Sequence, residues 1–279
     1  MKIDSHQHFW NYNREAYPWM TEAHAAIKRD FLPRDLEPIL EGSQIDGCIC
    51  VQAQQTLRET EWLLELADKN AFVKGVVGWF PFRDANLSDS LDRFAKHPAL
   101  VGARHAVHDE SDDDFILGEE FNRGIGELAN YDLVYDILIF KKHLPHSIEF
   151  VDRHPHQQFV VDHIAKPRID SRAFDENWHK NIVDLAGRDN VACKLSGMAT
   201  EVTDPEWTAD LLEPYFHTAL EAFGPDRLLF GSDWPVCLLR SNYDAWVNTV
   251  KTAIDELSAS EQSAILGGNA VRIYQLQKA

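Results

Sequence analysis

Eight short runs of β-branched and apolar residues, each followed by a stretch with helical spacing, restrict what this chain can fold into. They occupy positions 2–8, 45–52, 73–80, 100–107, 133–140, 158–164, 191–197 and 227–233, and their starts lie roughly 25 to 45 residues apart. Between them apolar residues recur at three- and four-residue steps, as in 60–67 and 87–94. The pairs His97-Pro98, His154-Pro155 and Gly224-Pro225 stop helical patterns just before the next run, because proline lacks an N–H and restricts the residue before it. A strand–helix unit repeated eight times predicts an α/β fold, a TIM-like (β/α)8 barrel formed as a single domain over 1–279. Its active site is expected at the C-terminal ends of the strands. An open doubly wound sheet would more often carry a glycine-rich phosphate turn after its first strand, and none is present. Helical stretches near 243–257 and 260–266 and a closing segment at 270–276 follow the last run.

The formal net charge of −18 excludes a nucleic-acid partner, since such affinity comes largely from Lys and Arg neutralising phosphates. It also favours a neutral small molecule over a polyanion. No run approaches the ~18 to 20 apolar residues that a membrane helix needs, and the N-terminus has no secretory pattern. A cytoplasmic location without membrane association is expected. Cys48, Cys50, Cys193 and Cys237 show no CxxC spacing and read as buried thiols of a reducing compartment. No sequence feature sets an oligomeric state.

Three of the runs end in groups that can do chemistry. Side chains two apart on a strand point to the same side, so His6 and His8 would both aim into the barrel as a ready metal chelate. The last run, Leu228-Leu229-Phe230-Gly231-Ser232-Asp233, ends in a carboxylate that needs a metal, an imidazole or a water as partner. The sixth ends with His163. Each alone has a plain structural reading, as a packed histidine or a turn cap, but polar ends on strands one, six and eight converge at one barrel mouth.

With that pattern the chain resembles the amidohydrolase superfamily. Ile3-Asp4-Ser5-His6-Gln7-His8-Phe9-Trp10, Val51-Gln52-Ala53 with Glu59-Thr60, and Gly102-Ala103-Arg104-His105 are similar to its sugar-lactonase group. So are 161–167, Lys194-Leu195-Ser196-Gly197 and Asn269-Ala270. The resemblance spans the whole chain and implies a hydrolase that opens a sugar (aldono) lactone such as L-fuconolactone or L-rhamnonolactone. Relatives open pyrone- or muconate-derived lactones. Carried onto this chain, it implies that His6, His8, His163 and Asp233 form the catalytic centre. The fifth run offers no histidine, and the fourth gives Arg104 and His105 without a bridging Lys or Glu, so two ions would lack ligands. One divalent metal or none is the choice, with Zn2+ held by His6, His8 and Asp233 and a water in the fourth position.

Asp233 is the expected base toward the attacking water, with His163 beside it; without metal, the three imidazoles would supply the oxyanion donors. Arg104 is expected to orient ring hydroxyls or a carboxylate, and Trp10, Trp79 and Trp234 to stack on the sugar ring. The roles of Lys194 and His105 stay open, and the acidic run at 109–114 reads as a solvated loop. Pyrone-dicarboxylate hydrolysis would need several arginines at strand ends, where only Arg104 stands. A zinc-dependent decarboxylase of a small aromatic or unsaturated acid uses a similar polar set on this fold. An inactive sugar-acid sensor is the non-enzymatic alternative.

Overall fold

The computed structural model describes residues 1–276, so 277–279, the tail of the expected 1–279 domain, lie outside the described residues. Eight parallel strands follow one another round a single sheet in chain order: β1 (Ile3–Gln7), β2 (Gly47–Val51), β3 (Val73–Gly78), β4 (Leu100–Ala106), β5 (Val134–Leu138), β6 (Phe159–Val161), β7 (Val191–Leu195) and β8 (Leu228–Phe230). Beyond the end of β8, Asp233 N–H donates to His6 O at 2.8 Å and His8 N–H donates to Trp234 O at 2.7 Å. These bonds join the last segment to the first and close the barrel.

Helices α1 (Pro33–Ser43), α2 (Leu57–Lys69), α3 (Leu87–Phe94), α4 (Glu119–Leu128), α5 (Leu144–Arg153) and α6 (Glu176–Ala186) cross over between successive strands. A short α7 (Met198–Glu201) and a longer α8 (Ala209–Phe223) connect β7 to β8, and α9 (Tyr243–Ala253) follows β8. Local chemistry sets their starts. Thr56 accepts from Glu59 N–H to begin α2, and Asp175 accepts from Trp178 N–H to begin α6. Amphipathic spacing sets their seating, as where α3 buries Leu87, Leu91 and Phe94 against the sheet. Strands six and eight stop at Val161 and Phe230, short of the sequence expectation, because the chain turns there into the site. No described helix is long and apolar enough to cross a membrane, and all four cysteines are free and buried.

Inside the barrel, Ile3, Ile49, Val51, Val77, Val101, Val134, Val160, Ala192 and Leu229 form one apolar layer. Ile273, Tyr274 and Leu276 plug it from the chain's end. Each large aliphatic side chain removed from water contributes about 1.5–3 kcal/mol. Two residues further along three of these strands stand Asp136, Asp162 and Lys194, all fully buried, so the period of two stacks a charged layer on the apolar one. Strand β1 reaches that layer by a different route. Asp4 pairs with Cys48 but Gln7 with Cys50, three residues against two, and this slip lets His6 join the interior although it stands three positions from Ile3.

Candidate active site and metal centre

The charged layer pairs its own members. Asp162 lies 2.9 Å from Lys194 Nζ, accepts from Arg104 Nη1 at 2.8 Å, and faces His6 Nδ1 at 3.1 Å. Lys194 also bonds Asp136, whose second oxygen accepts from Tyr274 Oη at 2.6 Å. Two carboxylates thus meet two cations in the buried interior, where an unpaired charge would cost several kcal/mol. Burial lifts Asp136 to about 6. Burial pushes Asp162 the same way, but His6, Lys194 and Arg104 outweigh it and hold the carboxyl well below its ordinary range.

Above this layer the donor atoms converge. His6 Nε2 and His8 Nε2 are 3.2 Å apart, and Asp233 Oδ1 lies 3.3 Å from His8 Nε2 and 3.8 Å from His6 Nε2. A tetrahedral ion with bonds of 2.0–2.1 Å separates its ligand atoms by roughly 3.3 Å, so this spacing fits zinc without rearrangement. The far ring nitrogens bear on the tautomers. His8 Nδ1 donates to Val51 O at 2.7 Å, which leaves its Nε2 lone pair toward His6 and the carboxylate. His6 Nδ1 faces both Asp162 Oδ1 and Lys194 Nζ at 3.1 Å, and with its proton on Nδ1 toward Asp162 its Nε2 is free to bind an ion as well. Burial holds His6 well below the usual imidazole range, which keeps it a neutral ligand. Without an ion, Arg104 Nη1 at 3.3 Å can donate to His6 Nε2. A second grouping, His6, Asp162 and His163, is also close enough to hold an ion. There Lys194 and Arg104 already neutralise Asp162, and their charges oppose a second ion.

His163 enters the site through its backbone. Adjacent residues on a strand face opposite ways, so Asp162 and His163 could not both face inward if β6 continued. Instead His163, Ile164, Ala165 and Lys166 all take positive φ, between 47° and 60°, a left-handed turn costing about 1–2 kcal/mol per residue. Trp178 Nε1 secures it by donating to Ile164 O at 2.7 Å. The His163 ring comes to 4.4 Å from that of His6, with Nδ1 2.8 Å from Ser196 Oγ. Gly197, at φ +68°, leaves room for it, since a Cβ there would lie 2.7 Å from His163 Nδ1. Burial holds His163 well below the ordinary imidazole range. Burial of Asp233 acts to raise its carboxyl, yet His163, His8 and Lys166 together bring it below its ordinary value.

These groups open onto a cavity of about 310 Å³ lined by His8, Arg104, His163, Asp233, Trp19 and Lys166, among others. A larger groove of about 530 Å³ between α8 and α9 lies over Phe216, Leu220 and Leu257 and gathers no strand-end polar groups.

A family model described as amidohydrolase matches residues 3–276. This chain belongs to the amidohydrolase family. It is 39% identical to an L-fucono-1,5-lactonase of Burkholderia multivorans, with 99% of this chain and 96% of that protein covered. It is 36% identical to an L-fucono-1,5-lactonase of Burkholderia ambifaria, at the same coverage. Among solved structures, an amidohydrolase from Burkholderia multivorans with bound zinc superposes at a TM-score of 0.95, with 39% identity and 99% and 100% of the two chains covered.

In this amidohydrolase, His6, His8, His163 and Asp233 come together as the strand ends suggested, and the other expected site residues divide. Arg104 lines the cavity, but its guanidinium is spent on Asp162 and the Gln52 carbonyl, and its Nε finds no acceptor among the described residues. Trp10 is fully buried among Tyr17, Trp19 and Phe31, and Trp234 packs on Phe9 and Phe31. Trp79 donates to His105 Nδ1 beside a separate cavity of about 250 Å³. The tryptophan on the cavity wall is Trp19, joined there by His24, His108, Phe140 and Lys166. Trp19 and His24 belong to the long segment after β1, which has no strand pattern to flag it. Asp136, Asp162 and Lys194 did carry a signal, the period of two from Val134, Val160 and Ala192.

Proposed function

We propose that this amidohydrolase opens a neutral aldonolactone, of the L-fucono-1,5-lactone type, by attack of a water that Asp233 deprotonates. The observation that carries this is the Asp233 carboxylate set 3.3 Å from His8 Nε2 at the floor of the cavity, beside two converging imidazole lone pairs. The two L-fucono-1,5-lactonases support the substrate class. His6, His8 and Asp233 would hold one divalent ion, Zn2+ by donor type and spacing. That ion, when bound, would acidify water and polarise a carbonyl.

The chain's own residues account for the rest. Asp233 meets the imidazoles through Oδ1 and uses Oδ2 to take the water proton as the new C–O bond forms at the lactone carbonyl. The same carboxyl returns that proton to the departing ring oxygen, so the ring C–O bond breaks to give a hydroxy acid. Asp162 and Ser196 hold the His6 and His163 rings in place through their Nδ1 atoms. Arg104 serves as an internal countercharge to Asp162, and Trp19 offers an aromatic wall for the ring.

A panel of γ- and δ-aldonolactones read by acid release tests the reading. Turnover of 1,5-lactones of the fuco configuration is expected. No acid from any lactone, together with carbon dioxide from a hydroxybenzoate, would transfer the site to decarboxylation.

A further inference from the structure

Two basic side chains, Arg104 and Lys166, line the cavity, and they are not equivalent. Arg104 is nearly buried and committed to Asp162 and Gln52. Lys166 Nζ has no hydrogen-bond acceptor among the described residues. Its carboxylate neighbour, Glu201 Oε1, stands at 3.9 Å, and the ammonium lies 5.4 Å from the centroid of the Phe140 ring. Its side chain is 20% exposed.

The left-handed turn explains how it gets there. Lys166 N–H donates to His163 O at 2.9 Å, closing a turn over the four residues 163–166, and in such a turn positions i and i+3 fall on the same side. One backbone device therefore delivers His163 and Lys166 to the same cavity, and surrounding contacts maintain four left-handed residues to do so.

We propose that Lys166 is a catalytic residue whose ammonium binds the anionic oxygen formed on the lactone carbonyl and then the carboxylate of the product. This rests on the lactonase reading. As the water oxygen bonds to the carbonyl carbon, the C=O electron pair moves onto oxygen; when it returns, the ring C–O bond breaks and Asp233 supplies the proton to the leaving oxygen. Lys166 transfers no proton and only donates hydrogen bonds. A neutral lactone gives the ammonium little to bind, so the contact strengthens as charge develops, which is the condition for lowering the barrier. In a chain of net charge −18, a local cation is also what an anionic product requires.

The test compares wild type with Lys166→Met, Lys166→Gly and Lys166→Arg on L-fucono-1,5-lactone, with L-fuconate as the inhibitor. Lys166→Gly removes the ammonium while accepting the positive φ, which separates the charge from the backbone. Both neutral variants are expected to lose about 100-fold in kcat with KM nearly unchanged, and to bind L-fuconate at least about tenfold more weakly. Lys166→Arg should recover part of both. Wild-type kcat and L-fuconate inhibition in Lys166→Gly would overturn the proposal, as would a change confined to KM. A wild-type protein that opens no aldonolactone removes the lactonase reading itself, whereas active wild type with indifferent variants removes Lys166 alone.

Discussion

The backbone N–H of Asp233 donates to the carbonyl of His6 at 2.8 Å, so the seam that closes the barrel runs through two of the three candidate metal ligands. An ion held by His6, His8 and Asp233 would tie β1 to the segment after β8 at the place where the circle is joined. Zinc is therefore expected to raise the melting temperature of a chelator-treated preparation, with about 2.7 kcal/mol of stabilisation at 100 times the dissociation constant. In His8→Ala the increment should vanish. An equal rise in that variant, followed by scanning calorimetry, would place the ion elsewhere.

Asp233→Asn keeps the size of the side chain and removes its basicity. Activity should fall by about 10²–10⁴ while the circular dichroism spectrum and L-fuconate binding persist. Turnover within a few-fold of wild type would take Asp233 out of the proton pathway.

Asp162 answers to His6, Lys194 and Arg104 at once. Its replacement by Asn leaves Lys194 with Asp136 and takes from Arg104 the carboxylate it is paired with, and should cost about 3–5 kcal/mol in denaturant unfolding. It should also weaken zinc about 10–100-fold, because His6 loses the acceptor that orients it. Stability and metal affinity both unchanged would mean that the layer is pinned by Lys194 and Asp136 alone.

Gly197→Ala places a methyl 2.7 Å from His163 Nδ1 at a φ of +68°. The backbone alone should cost about 1–2 kcal/mol, and the His163 ring must move. Loss of kcat/KM beyond the loss of stability is expected from parallel kinetics and melting curves. A variant that melts lower but turns over normally would show that the position of His163 is not critical.

Glu59 gives the fold a pH dependence. Its Oε2 accepts from Ala53 and Gln54 N–H at 2.9 and 2.6 Å, holding the loop after β2 against the cavity, while Oε1 has no partner among the described residues. Burial lifts the carboxyl from 4.5 to about 8, against the pull of those two donors. A raised folded value means the unfolded chain gives up its proton first. This group's stabilisation is thus complete below pH ~4.5 and lost as pH rises through about 8, at up to roughly 1.4 kcal/mol per unit. Denaturation at pH 6 and pH 9 should show that decline in wild type and a flatter profile in Glu59→Gln. Parallel profiles would assign the decline to other groups.

Much of this was legible in the sequence, because strand alternation and helix spacing are local properties of the chain. Apolar runs at regular intervals determined eight strands and their barrel, and the polar residues ending runs one, six and eight determined which mouth holds the chemistry. The same alternation held an unread signal for Asp136, Asp162 and Lys194, two steps beyond Val134, Val160 and Ala192, whose inward side the structure shows. What only the tertiary structure decided lies where alternation breaks. The slip between Asp4 and Gln7 depends on pairing with β2, and the left-handed turn from His163 to Lys166 depends on Trp178 and on the absence of a side chain at Gly197. Arg104 looked free at a strand end and is taken by Asp162, while Trp19 reached the cavity wall that Trp10, Trp79 and Trp234 do not line. Those outcomes are settled by contacts between residues far apart in the chain, which no local pattern records.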